Sequence, residues 1–465
     1  MKGKKIFTVF LVSALIFSQL FVPINLEAYG KTINDWEILG TAGFSDGKAF
    51  YTYIELDNEG VPYIVFQDWA NDRKATVMKY DDNTSLWEVV GQKGFSNGLA
   101  RYTTLAFDSN NTPHVAYTDG DTYKATVKEF DGTNWVDVGS PRFSSGNIGY
   151  IKLAFNGDIP HVIYKDYSLS GKAVVMQYSS SNGWVAFAGA SEGISDGEVE
   201  STDVEIINNG NGLKYYTAYK DLENGGGITV KQNDDSFSFN WPNVGTPGFS
   251  DGELYGSESV LDLELDKDGV PYVAFVDEAN GSEITLMKYN GATWEIVGEK
   301  GFTDDGNSNT RAEKPSFEIN DNGDIYLSVI HDEYSDSSLV YKYTNSKSTW
   351  SKLGTYPIIG SLTNFTTLDI DIENNIYVGF MDVENEYKAS VMKYSDPEDK
   401  TIDNEDISGI EPSIGETPVA NIETSQYTGT VSWSPNDSTF DYETVYTATI
   451  NITPKLGYKL EGVAE

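Results

Sequence analysis

The 465-residue chain carries 71 Asp and Glu against 32 Lys and Arg, a formal net charge of −39 that repels phosphate backbones and excludes nucleic acid as a natural partner. It has no cysteine, so neither a disulfide framework nor thiolate chemistry is open to it. With 39% hydrophobic and 13% aromatic residues it can build a packed core from large flat side chains, which excludes a disordered chain.

The N-terminus reads Met1-Lys2-Gly3-Lys4-Lys5, then a nearly unbroken apolar run from Ile6 to Val22, with the small residue Ala28 shortly after. A basic start, an apolar stretch and a small residue at the cut site read as a signal peptide over residues 1–28. Export to a secreted or cell-surface location is therefore expected. No later stretch is long and apolar enough to cross a bilayer, so the mature chain is expected to have no membrane span.

Seven tryptophans then recur: Trp36, Trp87, Trp135, Trp184, Trp241, Trp294 and Trp350, separated by 51, 48, 49, 57, 53 and 56 residues. A near-constant period marks an array of one repeated unit. In the first full unit Tyr51–Leu56 alternates apolar and polar residues, Asp57–Gly60 supplies a turn, and Val61–Phe66 is apolar and β-rich. Lys74–Tyr80 and Leu86–Val90 follow as third and fourth strands, separated by the polar Asp81–Ser85. Third strands return at Lys124–Phe130, Lys172–Tyr178, Ile284–Tyr289 and Lys388–Tyr394, and no helical period appears.

A four-stranded antiparallel unit repeated in this way resembles the blade of a β-propeller, and the resemblance covers residues 35–396. It implies an all-β fold with a seven-bladed ring of the kind found in secreted bacterial repeat proteins. Asp35–Gly40 is a fourth strand with no first three, and Tyr387–Tyr394 is a third strand with no fourth. Pairing the two is expected to close the ring and remove exposed sheet edges. The unit from Ser201 to Trp241, with Gly225-Gly226-Gly227 before its third strand, is the degenerate one.

Candidate sites follow from the repeat and its departures. Each second strand ends on an Asp (Asp68, Asp119, Asp166, Asp221, Asp277, Asp332, Asp382), and the loops leading into first strands repeat a Gly-Phe-Ser-Asp-Gly pattern. Both sets emerge at one end of the ring, which is expected to be acidic and Gly-rich. Features shared by all units read as turn chemistry. Departures from the repeat are the ligand-binding candidates: Asp68 with Trp69, Tyr123, Tyr167, and His331-Asp332 with Tyr334. Aligned first strands also place Glu55, Glu205, Glu264, Glu318 and Asp369 in register, with Ala106 and Ala154 in the other two units. Such a carboxylate ring could hold a hard cation such as calcium, or pair across units and face solvent. The Asp-rich turns at Asp57–Gly60 and Asp266–Gly269 lack the spacing of an EF-hand and read as hairpin turns.

Little supports catalysis. Of the three histidines, His114 and His161 follow Pro113 and Pro160 as Tyr63 and Tyr272 follow Pro62 and Pro271, so they read as Tyr replacements. His331 has no nucleophile placed beside it by sequence. The turns Asp131–Trp135 and Asn290–Trp294 resemble the tail of the sialidase Asp-box but lack its leading Ser-x-Asp, and Arg73, Arg101, Arg142 and Arg311 are the only arginines. The expectation is a non-catalytic binding or scaffold protein, a monomeric propeller recognising a glycan or an extracellular protein. The alternative is a carbohydrate-active enzyme, a glycoside hydrolase or lyase using two of the many carboxylates.

Residues 397–414 are acidic and turn-rich and read as a linker. Beyond them Tyr427–Pro435, Thr444–Lys455 and Gly457-Tyr458 resemble a small β repeat found in tandem on bacterial cell-surface proteins. The resemblance implies a β-sandwich-like adhesion or stalk module over residues 415–465, which is expected to stop short of its last strands. The Leu-Pro-x-Thr-Gly pattern of sortase substrates does not occur.

Overall fold

A computed structural model describes residues 36–208, 212–234, 240–256, 259–304, 306, 311–332, 336–354, 363–395, 414–424, 426–441 and 444–454. The expected leader, and the expected linker up to residue 413, lie outside the described residues. The chain divides into one unit spanning Trp36–Tyr394 and a second that contains the residues from Ser395 onward.

Among its described residues the first unit is built of seven antiparallel sheets in chain order, six of four strands and one of three. The alternation read in the sequence is the cause: in Ala49–Leu56 Thr52 and Ile54 are buried with Tyr53 and Glu55 less so, while Pro62–Asp68 is buried almost throughout. The first strands are Ala49–Leu56, Ala100–Phe107, Ile148–Asn156, Val199–Asn208, Leu261–Leu265, Ala312–Ile319 and Thr363–Ile370. Each lies against the next, and Thr363–Ile370 lies against Ala49–Leu56, so the succession returns to its start. The last sheet takes its fourth strand from the beginning of the unit. Glu37 pairs with Lys393 and Ile38 with Met392, and Leu39 N donates to Val391 O at 2.8 Å. The two fragments that the sequence left incomplete complete each other.

The spaced tryptophans bridge neighbouring sheets. Trp87 Nε1 donates to Leu39 O at 2.8 Å, Trp135 Nε1 to Val90 O at 2.8 Å and Trp350 Nε1 to Val297 O at 3.0 Å. Phe44, Phe95 and Phe302 from the intervening loops stack on these indoles at 4.5, 4.4 and 3.8 Å. Burying an indole is favourable only if its N–H keeps a partner, and the repeat supplies one at each of these seams. Close approach forces glycine beside the ring: at Gly354, φ +69°, a Cβ would lie 2.8 Å from Trp36 Cδ1. The three-stranded sheet breaks the pattern. Its fourth strand is reduced to one bridge, Lys231 to Asn243, and Trp241 Nε1 is buried without a hydrogen-bond partner.

The second unit contains one three-stranded antiparallel sheet among its described residues, Asn421–Glu423, Tyr427–Ser434 and Thr447–Pro454. Val431, Ala448 and Ile450 form its small core, and Trp433 Nε1 donates to Val419 O at 2.8 Å.

Candidate functional site

The first strands share a distortion that the sequence does not reveal. Tyr51, Tyr102, Tyr150, Ser201, Ser259, Lys314 and Phe365 all adopt the left-handed region, with φ of 52, 50, 56, 44, 50, 54 and 53°. Six coincide with a slip in the pairing to the second strand, as between Phe50 and Tyr53, and Ser259 stands just before its strand. This is a β-bulge repeated in six of the seven sheets. A non-glycine residue held there costs about 1–3 kcal/mol and persists where its surroundings fix it. They do so across sheets: Thr52, Thr103 and Thr202 donate their hydroxyls to the carbonyls of Phe365, Tyr51 and Tyr150.

All seven of these side chains gather around one cavity of about 140 Å³. Its rim is asymmetric. Phe365, Tyr51, Tyr102 and Tyr150 form a continuous aromatic arc, with successive ring centroids 4.8, 5.2 and 5.7 Å apart. Ser201, Ser259 and Lys314 fill the remainder, Lys314 Nζ lying 4.6 Å from the Phe365 ring centroid.

Deeper in the wall, side chains cap the unpaired edge of the first strands. Ile54 N donates to Thr367 Oγ1 at 2.9 Å, Leu368 N to Ser316 Oγ at 3.0 Å, Leu263 N to Asp203 Oδ2 at 3.2 Å and Phe317 N to Asp262 Oδ2 at 2.9 Å. Buried backbone N–H groups need such partners, which explains why polar residues recur here. Lys152 Nζ lies 3.5 Å from Asp203 Oδ2, 3.7 Å from Asp262 Oδ1 and 5.2 Å from the Tyr53 ring centroid. Burial works against the charge on Lys152, but Asp203 and Asp262 outweigh it and hold the ammonium above its ordinary range. Burial pushes Asp262 up to about 8, with Lys152 pulling it back and Asp203 pushing it further.

Glu55, Glu205, Glu264, Glu318 and Asp369 do come together, as their alignment implied, in the wall of a second cavity of about 920 Å³ at the opposite end. Each stands opposite a tyrosine on the second strand (Tyr63, Tyr216, Tyr272, Tyr326 and Tyr377), whereas Ala106 and Ala154 stand opposite His114 and His161. The two histidines thus occupy the expected tyrosine slot. Burial, then neighbouring carboxylates, raises the four glutamates well above the usual range, and burial carries Asp369 up to about 7. Among the described residues no three His, Asp or Glu side chains converge as a group that could hold a metal ion. The five carboxylates line that cavity together.

The candidates chosen as departures from the repeat separate into two kinds. Trp69, Tyr123 and Tyr167 are exposed at 41, 42 and 52%, and none of them lines the rim cavity. Trp69 stacks on Phe50 at 5.1 Å, the Arg101 guanidinium lies 5.4 Å from the Tyr123 centroid, and Tyr167 OH lies 3.3 Å from where a Gly149 Cβ would be. Asp68 is a correction: it is buried and structural. It accepts from Ala70 N, Asn71 Nδ2 and Thr76 Oγ1 at 3.0, 2.8 and 2.8 Å, capping the short 3-10 turn that follows. Asp221, Asp277 and Asp382 repeat the contacts to Asn and to Thr or Ser. These aspartates do not make an acidic surface. Exposed acids at this end face cations, as in Lys93 with Asp46 and Lys165 with Glu198. His331 is likewise a correction, fully buried with Nε2 3.4 Å from Glu283 Oε2, out of reach of a ligand at the surface. Asp332 is half-buried, accepts from Arg311 N at 2.8 Å and lies 3.5 Å from Arg311 Nε. Tyr334 lies outside the described residues.

Sequence reasoning missed Tyr51, Tyr102, Tyr150, Phe365, Lys152, Asp203 and Asp262. A signal was within reach: each rim aromatic lies four residues before the aligned position of Glu55, Ala106, Ala154 or Asp369.

No protein-family model matches the chain, and no curated protein matches it. Among solved structures it is similar to a polysaccharide lyase, the PL25 ulvan lyase, at 11% identity over 77% of this chain and 95% of that one, TM-score 0.47. It is similar to the α-L-arabinofuranosidase of Fusarium graminearum, at 11% identity over 78 and 96% of the two chains, TM-score 0.41. It is also similar to the Aleuria aurantia lectin, at 15% identity over 66 and 96%, TM-score 0.41. The all-β array of four-stranded antiparallel sheets fits a propeller.

Proposed function

We propose that the protein is an exported, non-catalytic glycan-binding protein, that its seven sheets are the blades of one closed propeller, and that the ligand sits at the aromatic end of the axial channel. The carrying observation is the rim. Seven positions that share a left-handed backbone, six of them at the same bulge, bear four consecutive aromatics and then Ser, Ser and Lys. A feature needed only for the fold recurs from sheet to sheet, as the bulge does in six of them and the Asp contacts to Asn and to Thr or Ser do in four. The side chains differ, and they differ in blocks, which suits a ligand with one apolar face and one hydroxylated edge. Trp69 extends the arc outward through Phe50, which lies 5.8 Å from Phe365, and a sugar ring stacks on such surfaces while its hydroxyls reach Ser201, Ser259 and Lys314. The C-terminal sheet is read as a surface-protein module that displays the propeller outside the cell as a monomer.

One observation favours a second reading, a carbohydrate-active enzyme. Burial raises Asp262 above the usual carboxylate range beside Asp203 beneath the rim, the direction that a general acid needs. Both carboxylates also hold backbone N–H groups in place, and that structural duty is why binding without turnover is preferred. A glycan array run with hydrolysis and lyase assays on the same sugars decides between them. Binding weakened by Tyr102→Ala without product supports the lectin. Product formation lost in Asp262→Asn supports the enzyme, and no binding to any glycan sinks both.

A further inference from the structure

Edge capping explains part of the negative charge in the channel and leaves the rest without a role. Asp203, Asp262 and Asp369 each accept a backbone N–H from the next first strand. Glu55, Glu205, Glu264 and Glu318 are influenced by burial, by neighbouring carboxylates and, for two of them, by Lys152, with no hydrogen bond among those influences. Four half-buried carboxylates gathered in one cavity are costly for a fold that gains nothing from them. They suit a cation that arrives from outside.

Two further observations point to a ligand there. The Oγ1 of Thr104, on the same wall, is buried with the residue 2% exposed and has no hydrogen-bond partner, although the equivalent Ser316 and Thr367 each accept an N–H. The chain also seats an ammonium of its own at this depth: Lys152 Nζ lies between Asp203 and Asp262 and near the Tyr53 ring. Carboxylates with an aromatic face are the chemistry that holds an organic ammonium. One cavity touches both the aromatic arc and all four glutamates, so a single ligand can use both.

We propose that the glycan taken by this channel is an amino sugar, its ammonium group among Glu55, Glu205, Glu264 and Glu318 and its apolar face on the arc of Tyr51, Tyr102 and Tyr150. This rests on the glycan-binding reading and narrows it. A neutral sugar leaves the carboxylates unopposed, and an acidic one is repelled by them.

Calorimetric titration of the full chain with three oligosaccharides of one length and linkage, built of glucosamine, N-acetylglucosamine or glucose, tests it, with spermine as a cation that has no sugar ring. The glucosamine oligomer should bind at least about tenfold more tightly than the other two, and the advantage should shrink at high salt. Glu205→Gln combined with Glu264→Gln should remove that advantage while the melting temperature holds or rises, since repulsion is relieved. Equal affinity for the glucose oligomer overturns the ammonium site and leaves the glycan reading standing. Spermine binding as tightly as the glucosamine oligomer overturns the amino-sugar assignment and favours a simple cation site. If none of the four binds, both readings fall.

Discussion

Trp36 donates its indole N–H to the carbonyl of Leu353 at 3.2 Å across 317 residues of sequence, in the same geometry that joins Trp87 to Leu39 and Trp135 to Val90. The seam between the last sheet and the one before it is thus chemically the same as the others, although one partner comes from the start of the unit. Trp36→Ala should destabilise the first unit by about 3–5 kcal/mol, because it removes a buried aromatic and leaves a carbonyl unpaired. Urea unfolding followed by tryptophan fluorescence measures this, and a cost no larger than that of an exposed substitution would show that the seam carries no load.

Trp241 supplies an internal control. Its N–H has no partner, so Trp241→Phe should cost about 1–2 kcal/mol less than Trp87→Phe, which loses a made hydrogen bond. Equal costs would mean that Trp241 finds a partner in solution.

The bulge at the rim can be separated from the ring it carries. At Tyr102, φ 50°, glycine adopts the backbone without penalty and alanine does not. Tyr102→Gly should therefore be more stable than Tyr102→Ala by about 1 kcal/mol, the reverse of the usual order in a strand. If alanine is the better replacement, the left-handed conformation is not held.

Binding should follow position on the rim. Loss of one stacking ring is worth about 0.5–1.5 kcal/mol, so Tyr102→Ala should weaken a bound glycan up to about tenfold. Asp68→Asn and His331→Gln should leave its affinity unchanged and act on stability alone, since both side chains are buried in the structural network. Affinity lost in either of those variants would count against the mouth as the site.

The channel carboxylates set a direction for pH dependence. Asp262 and Asp369 rise to about 8 and about 7 in the folded protein, from ordinary values near about 4. Between those limits the folded state binds more protons than the unfolded one, so stability falls as pH rises from about 4 to about 8. Melting temperatures should decline across that window, and Glu264→Gln, which removes one carboxylate from the coupled set, should flatten the decline. A melting temperature that climbs from acid to neutral pH would refute this assignment of the dominant groups.

Much of the fold is legible because it depends on chain-local patterns. The tryptophan period, the two-residue alternation and the complementary fragments around Trp36 and Lys393 are each visible within a few residues. The alignment of Glu55 with Glu205, Glu264, Glu318 and Asp369 is legible for the same reason: a strand repeats every two residues, and equivalent positions in successive sheets share a depth. The burial of Asp68 and His331 is less so. An Asp before a polar stretch looks exposed, and only the contacts to Asn71 and Thr76 turn it into an internal cap.

What the sequence by itself determined is the repeated unit, its antiparallel grammar and the depth of the carboxylates, all properties of single strands and their neighbours in the chain. Tertiary structure decided that the rim aromatics meet at the mouth. Tyr51, Tyr102, Tyr150 and Phe365 become neighbours only when strands about 50 residues apart are brought side by side and a bulge in each slips its register. That slip is set by contacts between sheets, such as the Thr103 hydroxyl on the Tyr51 carbonyl, and no local pattern encodes it.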